Sequence, residues 1–270
     1  MSVADAVAPT TDADALRARP AGFLHDVTAI AGRALRAVPR DVAAVVPPVF
    51  IALFFFIVNI ATLSTSAGKG FDYTAFMMPT AILLGVTGIS RAPALVLDVQ
   101  DGYLDRLLMT PIRRGAILIG HMIADVTVAA ALTIPILTLG FLLGVRFETG
   151  ALGVVVFIVV AALWSLAFTG FGYAIALKTG NPAAVNSAFL LFFPFLFLTS
   201  SYVPRYLMSG WLNTVAGLNP VTYVLEGLRS LVMQGWKWDE LAKAGLAIAL
   251  LGIVSMSLCF AALRGRTRRG

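Results

Sequence analysis

The sequence predicts an all-α integral membrane protein with six transmembrane helices, and three observations predict it. Of 270 residues, 59% are hydrophobic and only 13% are charged, whereas a soluble domain carries roughly 25% charged residues. Mean hydropathy is +0.89. The apolar residues also gather in runs close to the about 20 residues that one helix needs to cross a bilayer. The same figures exclude a disordered chain. Fibrous classes fail because no Gly-X-Y period or sustained heptad occurs. A single cysteine, Cys259, excludes an intrachain disulfide and a Cys-based metal site; it reads as a small lipid- or core-facing residue.

Residues 1–22, rich in Ala, Asp, Thr and Pro, read as a mobile cytoplasmic tail. They hold Asp5, Asp12 and Asp14 and no apolar stretch, unlike a signal peptide. Residues 23–40 read as an interfacial amphipathic helix. Phe23, Val27, Ile30 and Ala34 form one stripe, flanked by Leu24, Ala31, Leu35 and Val38, while His25, Asp26, Arg33 and Arg36 fall opposite. The alternative is a helix packed on a protein core. Residues 41–270 read as a single six-span domain.

The spans are Val42–Leu63, with Pro47 and Pro48 near its start; Ala75–Leu97, whose last turns Arg91 and Pro93 should distort; Ala116–Leu143, broken midway by Pro135; Ala151–Leu177; Ala183–Ser200, after an Asn181-Pro182 turn; and Leu241–Leu263. Arg205–Leu218 and Val221–Met233 are too short to cross about 30 Å and read as two short re-entrant helices between spans 5 and 6.

Orientation follows from the basic residues. Arg17, Arg19, Arg33, Arg36, Arg40, Arg91, Arg106, Arg113, Arg114, Lys178, Arg264, Arg266, Arg268 and Arg269 fall on one side. Lys69, Arg146, Arg205, Arg229, Lys237 and Lys243 fall on the other. The richer side is expected in the cytoplasm, with both termini. The net charge of +6 therefore speaks for membrane orientation and not for nucleic acid.

Two segments carry the functional reading. In the first, a helix over Gln100–Met109 gathers Tyr103, Leu107 and Leu108, and Thr110-Pro111 stops it. Its apolar side needs cover, which the membrane or a groove on a soluble partner could supply; the other reading is an ordinary charged loop. The order Asp98, Gly102, Asp105, Arg106, Pro111, Ile112, Arg114, Gly120 resembles the cytoplasmic loop of ABC type-2 family permeases, in particular the daunorubicin-resistance-type drug exporter membrane subunits. His121 stands where that family carries Lys or Arg. The second segment holds Ser201, Pro204, Asn219, Pro220, Tyr223 and Arg229 after a Phe/Leu-rich fifth span, which is similar to the same family at the expected place.

The resemblance implies a permease subunit of an ATP-binding-cassette exporter in the bacterial inner (plasma) membrane. It would move a hydrophobic drug, antibiotic or natural product, or else a lipid or lipid-linked glycan. It implies partners: two copies of an ATP-binding ATPase subunit, a second permease chain (identical or a paralogue), and the lipid bilayer. ATP and Mg belong to the ATPase, and this chain binds no cofactor. Coupling to the ATPase falls to Asp98, Asp101, Gly102, Tyr103, Leu104, Asp105, Arg106, Leu107, Leu108 and Pro111. An outer gate falls to Tyr202, Pro204, Asn219, Pro220, Glu226 and Arg229.

Single residues weigh as follows. Asp125 lies inside span 3, where a carboxylate costs about 2.5–3.5 kcal/mol on insertion scales and commonly marks a functional position; the other reading, favoured by His121 four residues before it, puts both at the cytoplasmic water boundary. Glu226 and Arg229, three apart, are expected to pair as a brace. Gly140 and Gly144 have close-packing spacing. Trp211, Trp236 and Trp238 suit an aromatic belt. No P-loop occurs, since Gly68-Lys69-Gly70 runs into Phe71. Nor is there a G-x-S-x-G, an H-E-x-x-H or a cysteine cluster. An enzyme would need clustered acids or histidines in the spans, and a secondary transporter an ion path and an internal repeat; Asp125 is the lone well-placed carboxylate.

Overall fold

The computed structural model describes residues 22–64, 70–103, 106, 109 and 114–267. The tail expected over residues 1–22 lies outside them except for Gly22. Ten α-helices are described: α1 Phe23–Ala37, α2 Val42–Leu63, α3 Tyr73–Thr87, α4 Ala92–Gln100, α5 Arg114–Leu142, α6 Gly150–Thr179, α7 Pro182–Phe197, α8 Gly210–Leu218, α9 Pro220–Met233 and α10 Trp238–Thr267. No strand occurs among the described residues.

Five stretches have the length and apolarity to cross a membrane: Val45–Leu63, Tyr73–Gln100, Gly115–Leu142, Gly150–Thr179 and Trp238–Gly265. The sixth apolar helix, α7, has 16 residues, roughly 24 Å at 1.5 Å per residue. Large apolar side chains stay exposed along these helices, among them Phe54 at 52% and Ile253 at 64%. Such a surface is stable against lipid and not against water. The molecule is a multi-pass membrane protein.

Helix α3 is the centre of the bundle. Every residue in it but Thr74 is buried, which is why its sequence shows no amphipathic period. It packs on α2, α5, α6 and α9, while α6 and α10 share the most extensive helix–helix contact. One apolar core surrounds α3; a second lies between α4, α5, α6 and α10 and includes Leu95, Tyr173 and Cys259. Cys259 is therefore core-facing.

Two expectations are corrected here. Pro135 does not break its span: α5 runs unbroken from Arg114 to Leu142. The helix over Gln100–Met109 does not start at Gln100, which ends α4. Gly102, at φ +66°, breaks the path, and Tyr103 and Arg106 are helical beyond it. The second span is divided as Pro93 predicts, into α3 and α4, with Gly88–Arg91 between.

Helix α1 packs along the start of α5. Val27, Ala31 and Ala34 are buried, as is Asp26 at 9% exposure, although its position in sequence puts it on the polar face. Leu24, on the same helix, is 77% exposed. The apolar stripe is thus shared between a protein seat and an open flank. The seat depends on Gly120, where a Cβ would lie 2.8 Å from Ile30 Cβ and 3.1 Å from Val27 O. Of the Gly140/Gly144 pair, only Gly140 makes a close approach, to Met78; Gly144 turns the chain at φ +92°.

Gly120→Ala should push α1 off α5, at a cost of about 1–3 kcal/mol typical of overpacking. Faster hydrogen exchange across residues 23–37, with little change in α6 and α10, is the expected readout.

Candidate functional site

Three polar clusters mark the molecule, one at each end of the bundle and one between. The first joins α1 to the base of the loop after the second span. Arg33 Nη2 donates to Asp98 Oδ1 at 2.8 Å and to Oδ2 at 2.7 Å. The Arg33 guanidinium carbon lies 3.9 Å from the Tyr103 ring centroid, within cation–π range. Partial burial disfavours the Arg33 charge, but Asp98 and Tyr103 outweigh it and hold its pKa above the ordinary arginine value. From α5, His121 Nδ1 contacts Ile117 O at 2.9 Å. A carbonyl only accepts, so that nitrogen carries hydrogen, and Nε2 is left facing Asp98 Oδ2 at 3.8 Å. Gln100 donates to Gly180 O at 3.0 Å, tying the end of α4 to the α6–α7 turn.

Of the expected coupling residues, Asp98 and Tyr103 thus converge on one partner, Arg33. Arg106 bonds back to the carbonyls of Gly102 and Asp101, and Asp101 and Gly102 form the turn. Leu104, Asp105, Leu107, Leu108 and Pro111 lie outside the described residues.

The middle cluster overturns the placement of Asp125 at a water boundary. Asp125 is fully buried. Its Oδ1 accepts the Arg91 backbone N–H at 2.9 Å, and its Oδ2 accepts Thr169 Oγ1 at 3.0 Å and Tyr173 OH at 2.7 Å. The first amides of a helix have no partner within it, and the break before α4 lies inside the apolar stretch Tyr73–Gln100, where a buried amide needs a partner from the protein. A carboxylate from α5 therefore caps α4. Further support comes from α6: Trp164 Nε1 donates to Thr87 Oγ1 at 2.8 Å and Ser165 Oγ to Val86 O at 3.1 Å.

The outer cluster corrects the expected Glu226–Arg229 brace. Arg229 is 5% exposed and forms no ion pair with Glu226 among the described residues. Its Nε donates to Phe76 O at 3.1 Å. Nη1 donates to Ser200 O at 2.7 Å and Ser200 Oγ at 3.2 Å; Nη2 donates to Ser201 O at 2.9 Å and Thr80 Oγ1 at 3.2 Å. All five donors of a guanidinium are used, three on Ser200 and Ser201 just past α7 and two on Phe76 and Thr80 of α3.

Asn219 caps α9 through Val221 N at 3.0 Å and donates to Phe195 O at 2.7 Å and Leu198 O at 3.1 Å, so one side chain starts α9 and finishes α7. Pro220 holds the first turn of α9, where its missing N–H costs nothing. Tyr202 stacks on Phe197 at 5.3 Å, and Pro204 leads into a 3-10 turn over Arg205–Leu207. Sequence reasoning missed Arg33 as the partner of Asp98, Thr80 and Ser200 as partners of Arg229, and Thr169 and Tyr173 as partners of Asp125. Polar residues four apart in an otherwise apolar span, as Thr169 and Tyr173 are, were the available signal.

Asp125→Ala leaves buried donors from Arg91, Thr169 and Tyr173 without an acceptor, at about 1–3 kcal/mol for each unsatisfied group; its thermal midpoint in detergent should fall clearly. Asp125→Asn, which keeps an acceptor oxygen, should recover much of that stability and keep transport, as a cap does and a proton relay does not. Arg229→Lys should destabilise too, since an ammonium has three donors where five are used; proteolysis within residues 198–209 would report it.

Comparison with known proteins gives this arrangement its relatives. The chain is 26% identical over 192 residues to a daunorubicin resistance ABC transporter permease protein of Streptomyces coeruleorubidus, covering 69% of this chain and 65% of that protein. It is 24% identical over 202 residues to a probable doxorubicin resistance ABC transporter permease protein of Mycobacterium tuberculosis, covering 73% and 72%. To a probable multidrug ABC transporter permease of Escherichia coli it is 24% identical over 172 residues, covering 62% and 46%. The family described as ABC-2 type transporter matches residues 26–233, from α1 through the end of α9, and the chain belongs to that family.

Proposed function

We propose that this chain is the membrane subunit of an ATP-driven exporter that moves a hydrophobic compound, such as a drug, antibiotic or natural product, out of the cell across the bacterial inner membrane. Two such chains, or this chain and a paralogue, assemble with two copies of an ATP-binding subunit that holds the ATP and Mg. Both termini lie in the cytoplasm, and the open flank of α1 rests in the membrane interface. The observation that carries the reading beyond family membership is the Arg33–Asp98–Tyr103 joint. It links α1 to the base of the loop that the resemblance assigns to coupling, so a push on the loop reaches both α1 and, through α4, the buried α3. The names of the relatives support a drug-like cargo. A lipid or lipid-linked glycan moved by the same machinery is the second reading, favoured by the lipid-facing character of the walls: one open groove of about 520 Å³ between α5, α6 and α10 is lined by residues such as Ile123, Leu163 and Ile248. A secondary transporter loses its best carboxylate, because Asp125 is spent on capping α4.

Co-expression with an ATP-binding subunit tests the assignment. Asp105→Arg or Leu108→Asp should weaken its co-purification while membrane insertion stays intact. Arg33→Ala should leave co-purification unchanged but separate ATP hydrolysis from transport. Undiminished docking in both loop variants, or ion-driven transport by the chain alone, would remove the assignment.

A further inference from the structure

A mixed-charge cavity of about 430 Å³ lies at the α9 end of the bundle, between the 3-10 turn at Arg205, α9 and the start of α10. That volume suits a small-molecule group. Its charges divide into those already satisfied and those that are not. Arg229 reaches it with no donor to spare. Lys243 is held by Glu240 Oε1 at 2.8 Å and Asp239 at 3.7 Å. Two acceptors remain. Glu240 Oε2 is buried with no hydrogen-bond partner, and half-buried Glu226, within the field of Arg205, Arg229 and Lys243, accepts no hydrogen bond and closes no ion pair with any described residue. Two cations remain on the same wall. Lys237 is exposed, with its ammonium paired to no described side chain. Arg205 uses only Nε, in a long contact of 3.4 Å with Asn213.

We propose that this cavity binds a zwitterionic phospholipid head group, an ammonium joined to a phosphate. The ammonium sits between Glu226 and Glu240 Oε2, where three N–H donors meet the Glu226 carboxylate and the one Glu240 oxygen that Lys243 leaves open. The phosphate sits against Lys237 and Arg205. A purely cationic ligand would leave those two bases uncovered, and a purely anionic one would leave the carboxylates unpaired. The surroundings place the cavity where head groups lie. Tyr206 on its wall is 77% exposed, and Leu207 beside it 64%. Trp211 and Trp238 are each 70% exposed, with Trp238 stacked on Trp236 at 5.3 Å, and such tryptophans sit at the membrane–water boundary. The lipid tails then run down the apolar outer surface while the head group turns inward. The site stands on its own residues and goes beyond the export reading, whatever the cargo.

The test uses the full-length chain in detergent with soluble short-chain lipids, dihexanoyl phosphatidylethanolamine, phosphatidylcholine and phosphatidylglycerol, titrated by calorimetry. Phosphatidylethanolamine should bind saturably and most tightly. Phosphatidylcholine, with no N–H, should bind more weakly, and phosphatidylglycerol weakest. Glu226→Gln, which is isosteric, should weaken phosphatidylethanolamine roughly tenfold, to the phosphatidylcholine level, with an unchanged thermal midpoint. Lys237→Ala, at the rim, should weaken both zwitterionic lipids alike. Equal binding of all three lipids, which means annular contact only, would overturn the proposal. So would a preference for phosphatidylglycerol, or phosphatidylethanolamine binding that neither variant changes.

Discussion

A backbone amide or carbonyl at bilayer depth must find its partner inside the protein, and this chain meets that demand at two places on one helix. α3 is interrupted at its far end by the break before α4 and bordered at its near end by the irregular stretch that follows α7. Each place is served by one charged side chain brought from another helix: Asp125 for the amide at the first, Arg229 for the carbonyls at the second. Neither side chain closes an ion pair among the described residues; each is met by oriented hydrogen bonds, which is what a buried polar group requires. The burial of nearly all of α3 depends on both.

This arrangement gives the central helix a fixed relation to both ends of the bundle. Through α4 it ends at Asp98 and so at Arg33 on α1. Through Phe76 and Thr80 it meets the clamp that also holds the end of α7 and the start of α9. A displacement at the α1 end therefore has a continuous, rigid route to the α9 end, made of packed helix and charge-assisted hydrogen bonds.

Much of this architecture could be read from the residues. Five of the six expected spans coincide with stretches long and apolar enough to cross a bilayer, the distorted end of the second was signalled by its Gly, Arg and Pro residues, and the helices after the fifth are as short as their apolar runs. α7 came out shorter than its apolar run because Asn219 and the hydroxyls of Thr199 and Ser201 capture the carbonyls at its end. The two hydroxyls act locally, but Asn219 reaches back more than twenty residues, which no local pattern signals. Pro135 misled because its cost is local while its tolerance is tertiary. Asp125 misled for a related reason: spacing to His121 spoke of a boundary, whereas its true partners lie 34, 44 and 48 residues away. The Glu226–Arg229 spacing was right for a helical pair, but carbonyls at the end of α7 competed for the guanidinium and won. In the segment that the resemblance assigns to coupling, Asp98 and Tyr103 meet Arg33, a partner 65 residues from Asp98 that no local spacing signals.

The seat of α1 has a consequence for biosynthesis. Every group that receives this helix, from Asp98 to Gly120, lies downstream of it by at least one whole span. When α1 leaves the ribosome its docking surface has not yet been made. Until the third span is in place and offers the groove at Gly120, the stripe of Val27, Ala31 and Ala34 has no protein seat. Helix α1 therefore joins its partner only after two later spans have been made.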